Sequence, residues 1–229
     1  MARPARRGLI APLILGLLGT AILVSLSVWQ VQRLEWKEGL IAEIEGRLAA
    51  EPVPVPQDPD PARDEFLRVN AEGRLAGPPV HVLTTRRPFG PGFRVIAPVA
   101  LADGRRVMAD LGFIDEAERG DVMPPAGTAL SLTGALFWPE SADAPPPEDG
   151  LFFSRAVDRL AAALEARPVL IVAESHSLGP VPRAERLGAD LPNNHRNYAI
   201  TWAALAVTWA AMSMLWARSR LRRGQAPAT

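Results

Sequence analysis

Two long apolar segments lie near the ends of the chain, and the sequence between them alternates more finely between apolar and polar residues. The first apolar segment runs from Gly8 to Val31, and the second runs from Tyr198 to Trp216 without a charged residue. A helix rises about 1.5 Å per residue, so the second segment spans about 28 Å, close to the thickness of a hydrocarbon core. The pattern predicts two transmembrane helices, at residues 9–31 and 195–217.

Arginines flank both apolar segments on the sides that face the chain ends. Arg3 and Arg6 precede the first segment, and Arg218 is the first of four that follow the second. The positive-inside rule therefore places residues 1–8 and 218–229 in the cytoplasm. The first segment is too long for the apolar region of a signal peptide and has no cleavage site after it, so we expect an uncleaved anchor. In a bacterium this predicts a two-span inner-membrane protein whose central part is periplasmic.

The residues between the spans predict a helical stem, a linker and a small β-rich domain. Apolar residues at helical spacing in 32–50 predict an amphipathic stem, and alternate prolines in 51–62 predict an extended linker. In 63–194, short β-branched or aromatic runs separated by Gly and Pro predict strands, with a hairpin turn at Ala102-Asp103-Gly104. Residues 151–166 predict one packed amphipathic helix. The predicted strands are Glu65–Asn70, Pro79–Leu83, Phe93–Val99, Arg105–Leu111, Leu130–Phe137 and Val169–Ala173.

These elements predict an α+β membrane protein in which two transmembrane helices flank a mainly antiparallel β periplasmic domain with one packed helix. Composition then narrows its chemistry. The formal net charge is zero, so no overall basic field favours nucleic acid, and the absence of cysteine excludes disulfides, thiolate metal sites and covalent c-type haem. The run Glu174-Ser175-His176 lacks the strand-turn-helix setting of a nucleophile elbow. We therefore predict that the protein is not an enzyme.

Polar and aromatic residues cluster where both predicted spans meet the periplasmic surface. Spacings of three and four residues let several of them share a face of their helix. A neutral imidazole flanked by arginines and aromatic rings suits an amphiphilic iron porphyrin, with His195 as the iron ligand and arginines against the propionates. The alternative is an ordinary interfacial belt of tryptophan, snorkelling cations and a hydrogen-bonding histidine. The candidate residues are Trp29, Gln30 and Arg33 on the first helix and His195, Arg196, Tyr198 and Trp202 on the second.

Three motifs, in order along nearly the whole chain, resemble the Surfeit-locus (Shy-type) cytochrome oxidase assembly proteins. They are Trp29-Gln30 with Arg33 and Lys37, Gly92-Phe93-Arg94-Val95-Ile96-Ala97-Pro98 followed by Asp103-Gly104, and Asn193-Asn194-His195 with Tyr198-Ala199 and Thr201-Trp202. One segment departs from that family's pattern. Where such proteins commonly have Arg-Gly-Trp after the central strand, this chain has Asp110-Leu111-Gly112-Phe113. The resemblance therefore carries over no role for that arginine.

The resemblance implies an assembly factor for aa3-type cytochrome c oxidase that binds haem a transiently and aids its insertion into the catalytic subunit. It implies that His195 is the axial ligand, and therefore the metal-binding residue. The implied partners are the catalytic subunit, other oxidase assembly proteins and membrane lipid, with no nucleic acid. Two alternatives stay open. One is a scaffold for an oxidase intermediate that does not bind haem, and the other is a periplasmic sensor, which the short tail after Trp216 disfavours.

Overall fold

The two apolar segments form long helices. The computed structural model describes residues 7–120, 123–139, 145–148, 150–189 and 191–223. In it, α1 spans Arg7–Ala49 and α4 spans His195–Arg223. Both helices contain a segment long and apolar enough to cross a membrane.

Helix α1 has no break at residue 31, where the predicted span gives way to the predicted stem, so both belong to one continuous helix. The predicted cytoplasmic termini fall largely outside the described residues. Of the segments 1–8 and 218–229, only 7–8 and 218–223 are described, and these belong to α1 and α4.

The chain divides into two compact units. One contains α1 as far as Ala42 together with the segment from Asp190 onward that includes α4, and the other extends from Glu43 to Ala189. We call the first the helix pair and the second the barrel unit. The barrel unit contains the end of α1, eight strands and two further helices. Its strands are β1 (Val53–Pro54), β2 (Arg68–Leu75), β3 (Val80–Arg86), β4 (Gly90–Leu101), β5 (Arg106–Asp115), β6 (Ala129–Leu136), β7 (Leu151–Phe152) and β8 (Leu170–His176), and its helices are α2 (Pro61–Asp64) and α3 (Val157–Leu164).

Five of these strands close into a barrel. The sheet order is β1-β2-β6-β8-β5-β4-β3-β7, and an additional pairing of β2 with β4 joins the ends of the five-strand set. The pairings are antiparallel except for β1 with β2, β3 with β7 and β5 with β8. The structure therefore confirms the α+β class, with two membrane-capable helices flanking a mainly antiparallel sheet domain that carries a helix.

Strand β5 shows why the domain lacks simple alternation of apolar and polar residues. Eight of its residues are buried because both of its faces are covered. Val107, Ala109 and Leu111 pack in the barrel interior, whereas Met108 packs with Leu160 in the cluster that includes α3. The predicted hairpin turn before β5 is confirmed, since β4 and β5 pair on either side of it and Gly104 has a φ of +86°.

The predicted packed helix begins later than the apolar pattern indicates. Residues 151–152 form β7, which pairs with His81 and Val82 of β3, and the helix starts at Val157. Tertiary pairing therefore overrides helical periodicity at the start of the segment. The helix ends at Leu164, and the capping residue Glu165 adopts a left-handed conformation with a φ of +49°.

The segment that departs from the family pattern forms a bulge in β5. Val95 pairs with Gly112 and Ile96 with Asp110, so Leu111 is the extra residue. Leu111 is fully buried in the barrel core. Gly112 has a φ of +118°, and a Cβ atom there would overlap the carbonyl oxygen of Arg183. The glycine is therefore required by both conformation and space.

Candidate functional site

The two long helices of the helix pair pack through small residues and through hydrogen bonds to backbone carbonyls. The Ser27 hydroxyl donates to the carbonyl oxygen of Ala199 at 2.9 Å, and the indole N–H of Trp209 donates to that of Leu15 at 3.2 Å. A Cβ atom added to Gly19 would overlap the Trp209 indole ring, so glycine lets the indole approach the α1 backbone. Such close approach at small residues is typical of helices that associate in membranes.

His195 and Gln30 meet between these helices. The ring Nδ1 of His195 lies 2.7 Å from Oε1 of Gln30, within hydrogen-bonding distance. His195 is the first residue of α4 and is half-buried, whereas Gln30 lies within α1 and is only 8% exposed. Because an amide oxygen can only accept, the imidazole donates this bond. It leaves Nε2 without a hydrogen-bond partner among the residues that the structure describes.

The segment that leads into α4 is also tied to α1. The ammonium of Lys37 donates to the carbonyl oxygen of Pro192. Asn193 has a buried side-chain oxygen with no partner in the described part of the chain. The position of His195 is therefore set from two sides, by the contact of its own ring with Gln30 and by the lysine that holds the preceding turn.

The remaining predicted site residues are on the same two helices but are not joined to His195. The Arg33 guanidinium lies 3.9 Å from the ring centroid of Trp36, its neighbour on α1. Trp29 and Tyr198 are 53% and 55% exposed. Arg196 is exposed and Trp202 is half-buried. Of the seven predicted residues, the structure brings only Gln30 and His195 into direct hydrogen-bonding contact within the described ranges.

The other two histidines lie in the barrel unit, where one ring contacts backbone carbonyls and the other packs against an aromatic ring. His176 places Nε2 at 3.0 Å from the carbonyl oxygen of Leu111 and 2.9 Å from that of Pro182. His81 packs edge-on against Phe93, and burial together with the nearby Arg119 charge lowers the pKa of its imidazole. No group of three metal-binding side chains occurs among the described residues.

Sequence reasoning missed a buried ionic cluster in the barrel unit. Asp110 is fully buried, and its Oδ2 atom accepts hydrogen bonds from Arg94 Nε at 2.6 Å and from Arg155 Nη1 at 3.3 Å. Its other oxygen accepts from the backbone N–H of Gly112 at 3.2 Å. Burial lowers the pKa of Arg155, and the repulsion from Arg94 acts in the same direction. The cluster braces the β5 bulge, and its only signal in the sequence is one aspartate, Asp110, in the apolar middle of a strand.

Comparison with known proteins agrees with the resemblance seen in the motifs. The SURF1 family model matches residues 17–207. Surfeit locus protein 1 of Mus musculus is 29% identical over 218 residues, covering 82% of this chain and 70% of the mouse protein. The SURF1-like protein of Monosiga brevicollis is 32% identical over 206 residues, covering 79% of this chain and 78% of that protein. The chain belongs to the SURF1 family, a family of cytochrome c oxidase assembly factors rather than of catalytic enzymes.

Proposed function

We propose that this protein assists the assembly of aa3-type cytochrome c oxidase by binding haem a and aiding its insertion into the catalytic subunit. Family membership supports the role in assembly. The haem assignment depends on one observation, the placement of a half-buried histidine against the opposite helix, with the ring nitrogen Nε2 left for a ligand. In this proposal haem a is cargo, held by His195 through its iron and then released.

The chemistry of the surrounding side chains fits that cargo. An imidazole nitrogen is a common axial ligand of haem iron. Arg33 and Arg196 are exposed guanidinium groups within a turn of the Gln30–His195 contact along their helices, where they can pair with propionates. Trp29 and Tyr198 offer exposed rings for the porphyrin, and Trp202 lies one turn beyond Tyr198. When bound, haem a supplies the iron and the amphiphilic ring that these groups recognise.

We propose an inner-membrane location with both termini in the cytoplasm and the barrel unit in the periplasm. Two helices capable of spanning a membrane and the arginines at both chain ends support this topology. It places His195 and Gln30 at the periplasmic ends of the spans. The partners that follow are the catalytic subunit, other assembly proteins and surrounding lipid.

The visible spectrum of the full chain, purified in detergent from cells that make haem a, tests the haem assignment. We expect a Soret band in the parent protein and its loss in His195→Ala. His81→Ala is the matched control, because it removes a half-buried histidine from the barrel unit and should leave the band unchanged. A parent without a Soret band, or a His195→Ala variant with the parent's spectrum and occupancy, would overturn the assignment.

A scaffold that contacts an oxidase intermediate is the second candidate, and one surface feature of the barrel unit favours it. Phe89 is 48% exposed and lies near the guanidinium groups of Arg86 and Arg183, at 5.7 and 5.2 Å from its ring centroid. Aromatic and arginine side chains are enriched at protein interfaces, and here the Phe89 ring is exposed while both arginines are half-buried. Deletion of the gene separates both candidates from an unrelated role, because normal oxidase activity and haem a content in the deletion strain would refute the assembly role itself.

A further inference from the structure

The contact between His195 and Gln30 does more than place the ring. Gln30 is nearly buried, and its side-chain oxygen lies 2.7 Å from Nδ1 of His195. A neutral imidazole carries its single ring proton on one nitrogen, and the partner of the other nitrogen decides which. Because an amide oxygen accepts only from a protonated nitrogen, the contact requires the proton on Nδ1 and leaves the lone pair on Nε2.

We propose that Gln30 is a positioning residue that holds His195 in the Nδ1–H tautomer, so that Nε2 is the nitrogen presented to iron. This inference rests on the proposed function, since it assigns Gln30 a role toward the haem that His195 is proposed to bind. In this role Gln30 hydrogen-bonds to the ring nitrogen of His195 that does not bind iron, and Gln30 does not itself contact the haem.

The neighbouring contacts fix where Gln30 can reach. Ser27 lies three residues before Gln30 on α1, and its hydroxyl donates to the carbonyl of Ala199, one turn beyond His195. Lys37 lies about two turns after Gln30 and donates to the carbonyl of Pro192, just before α4. The Gln30–His195 bond is therefore held between two other bonds that join the same elements. Because its hydrogen-bond partner is itself held in place, the His195 ring is preorganised in orientation as well as in tautomer.

Gln30 is uncharged, and this bears on how readily the haem is released. A carboxylate that accepts the ring proton makes an imidazole more basic and a stronger ligand, as in the carboxylate–histidine pairs of resident metal sites. An amide oxygen orients the ring without that increase. A glutamine therefore suits a carrier that must hand its cargo on, and Gln30→Glu should hold haem more tightly than the parent does.

The tautomer can be measured without haem. The full chain, with ¹⁵N-labelled histidine and purified in detergent without haem, is studied by NMR at pH 8, above the range in which histidines usually titrate. The chain has three histidines, and the His195 signals are those that disappear in His195→Ala. We expect a protonated Nδ1 and an unprotonated Nε2 in the parent protein. Gln30→Leu should lose this preference, whereas Gln32→Leu, an exposed glutamine on the same helix, should keep it.

A haem a titration of the same variants provides the second readout. Loss of an outer partner of a metal-binding histidine typically weakens affinity by about 10–100-fold, and we expect Gln30→Leu to show a loss in that range. Gln32→Leu should bind as the parent does. Gln30→Glu should exceed the parent's affinity, since a carboxylate accepts the same hydrogen bond and makes the imidazole a stronger ligand.

Two results would overturn the inference. One is a parent protein with the proton on Nε2, which would mean that the amide NH₂ of Gln30 donates to Nδ1. The other is a Gln30→Leu variant with the parent's tautomer and affinity. The proposed function fails separately, since a parent with the Nδ1–H tautomer that takes up no haem would refute the haem assignment while leaving the hydrogen bond established.

Discussion

Large apolar side chains are buried in the barrel unit and exposed in the helix pair. In the barrel unit, large apolar residues such as Phe113 and Leu111 are almost completely buried. In the helix pair, Leu17 and Val207 are 76% and 71% exposed, while the amide of Gln30 is nearly buried. An apolar exterior is expected of helices surrounded by lipid, whose association depends on close packing and on polar contacts.

Each unit also contains a buried polar contact, and the contacts of Asp110 and Gln30 differ in kind. In the barrel unit the buried carboxylate of Asp110 is charged and is shared by Arg94 and Arg155. In the helix pair the contact joins two groups that are both neutral when the His195 imidazole is unprotonated. A buried charged cluster is costly to break and stabilises one fixed fold. A neutral hydrogen-bonded pair can orient an imidazole while its other ring nitrogen stays free to bind a metal. These properties suit an architectural role for the barrel unit and the proposed cargo binding by the helix pair.

The largest expected effect comes from removing the charge in the barrel cluster. Asp110→Asn leaves Arg155 without its counterion and leaves Arg94 with only the longer contact to Glu185, at 3.8 Å. Loss of one partner from a buried ion pair typically costs about 3–5 kcal/mol. The unfolding midpoint in urea, followed by circular dichroism on the full chain in detergent, measures this change. Asp158→Asn, at an exposed carboxylate of α3, should shift the midpoint little. Equal shifts in the two variants would contradict the bracing role of the cluster.

The β5 bulge is the next place to break the barrel unit. Gly112→Ala combines a positive φ with overlap on the Arg183 carbonyl, and we expect it to cost about 2–4 kcal/mol. Gly104→Ala also has a positive φ but no atom within 4 Å of the added Cβ, so about 1 kcal/mol is expected. The difference between the two unfolding free energies isolates the steric overlap. A Gly104→Ala variant as unstable as Gly112→Ala would show that the Arg183 contact is unimportant.

A substitution outside the barrel unit should weaken the packing between the two helices of the helix pair. Gly19→Ile places a branched side chain against the Trp209 indole, and overpacking of this kind typically costs about 1–3 kcal/mol. Because the chain has no cysteine, spin labels can be attached to single cysteines introduced at exposed positions 17 and 214. We expect a longer and broader distance distribution in Gly19→Ile. Gly39→Ile, which meets nothing within 4 Å, should reproduce the parent's distribution.

The smallest expected effect is a pH dependence in the barrel unit. Arg183 donates to both oxygens of Glu118 at 2.6 and 2.7 Å, and these bonds lower the pKa of that carboxyl. Since the folded pKa is below the unfolded value of about 4.3, the stabilisation is complete above that pH and is lost as the pH falls through the folded pKa. Glu118→Gln should therefore lose less stability than the parent between pH 7 and pH 3.5. The exposed Glu116→Gln should lose as much as the parent.

Much of the fold could be predicted from local sequence patterns, because continuous apolar runs and an Asp-Gly turn have few structural alternatives. The opposition of Gln30 and His195 was also predictable, since two spans that start and end at the same surface bring their outer ends to one depth. The Asp110 cluster was not predictable, because its partners lie 16 and 45 residues away and come together only when the barrel closes. Likewise, Leu151 and Phe152 continue an apolar pattern typical of a helix, and only their pairing with β3 makes them a strand.

The central claim is that His195 supplies the iron ligand from the helix pair, and chemical rescue tests it most directly. Haem a is titrated into the purified full chain in detergent, into His195→Gly, and into His195→Gly with added imidazole. We predict that the variant loses haem affinity and the parent's Soret maximum, and that free imidazole restores both by occupying the vacated position. A His195→Gly variant that binds haem a with the parent's affinity and spectrum, without imidazole, would contradict the account.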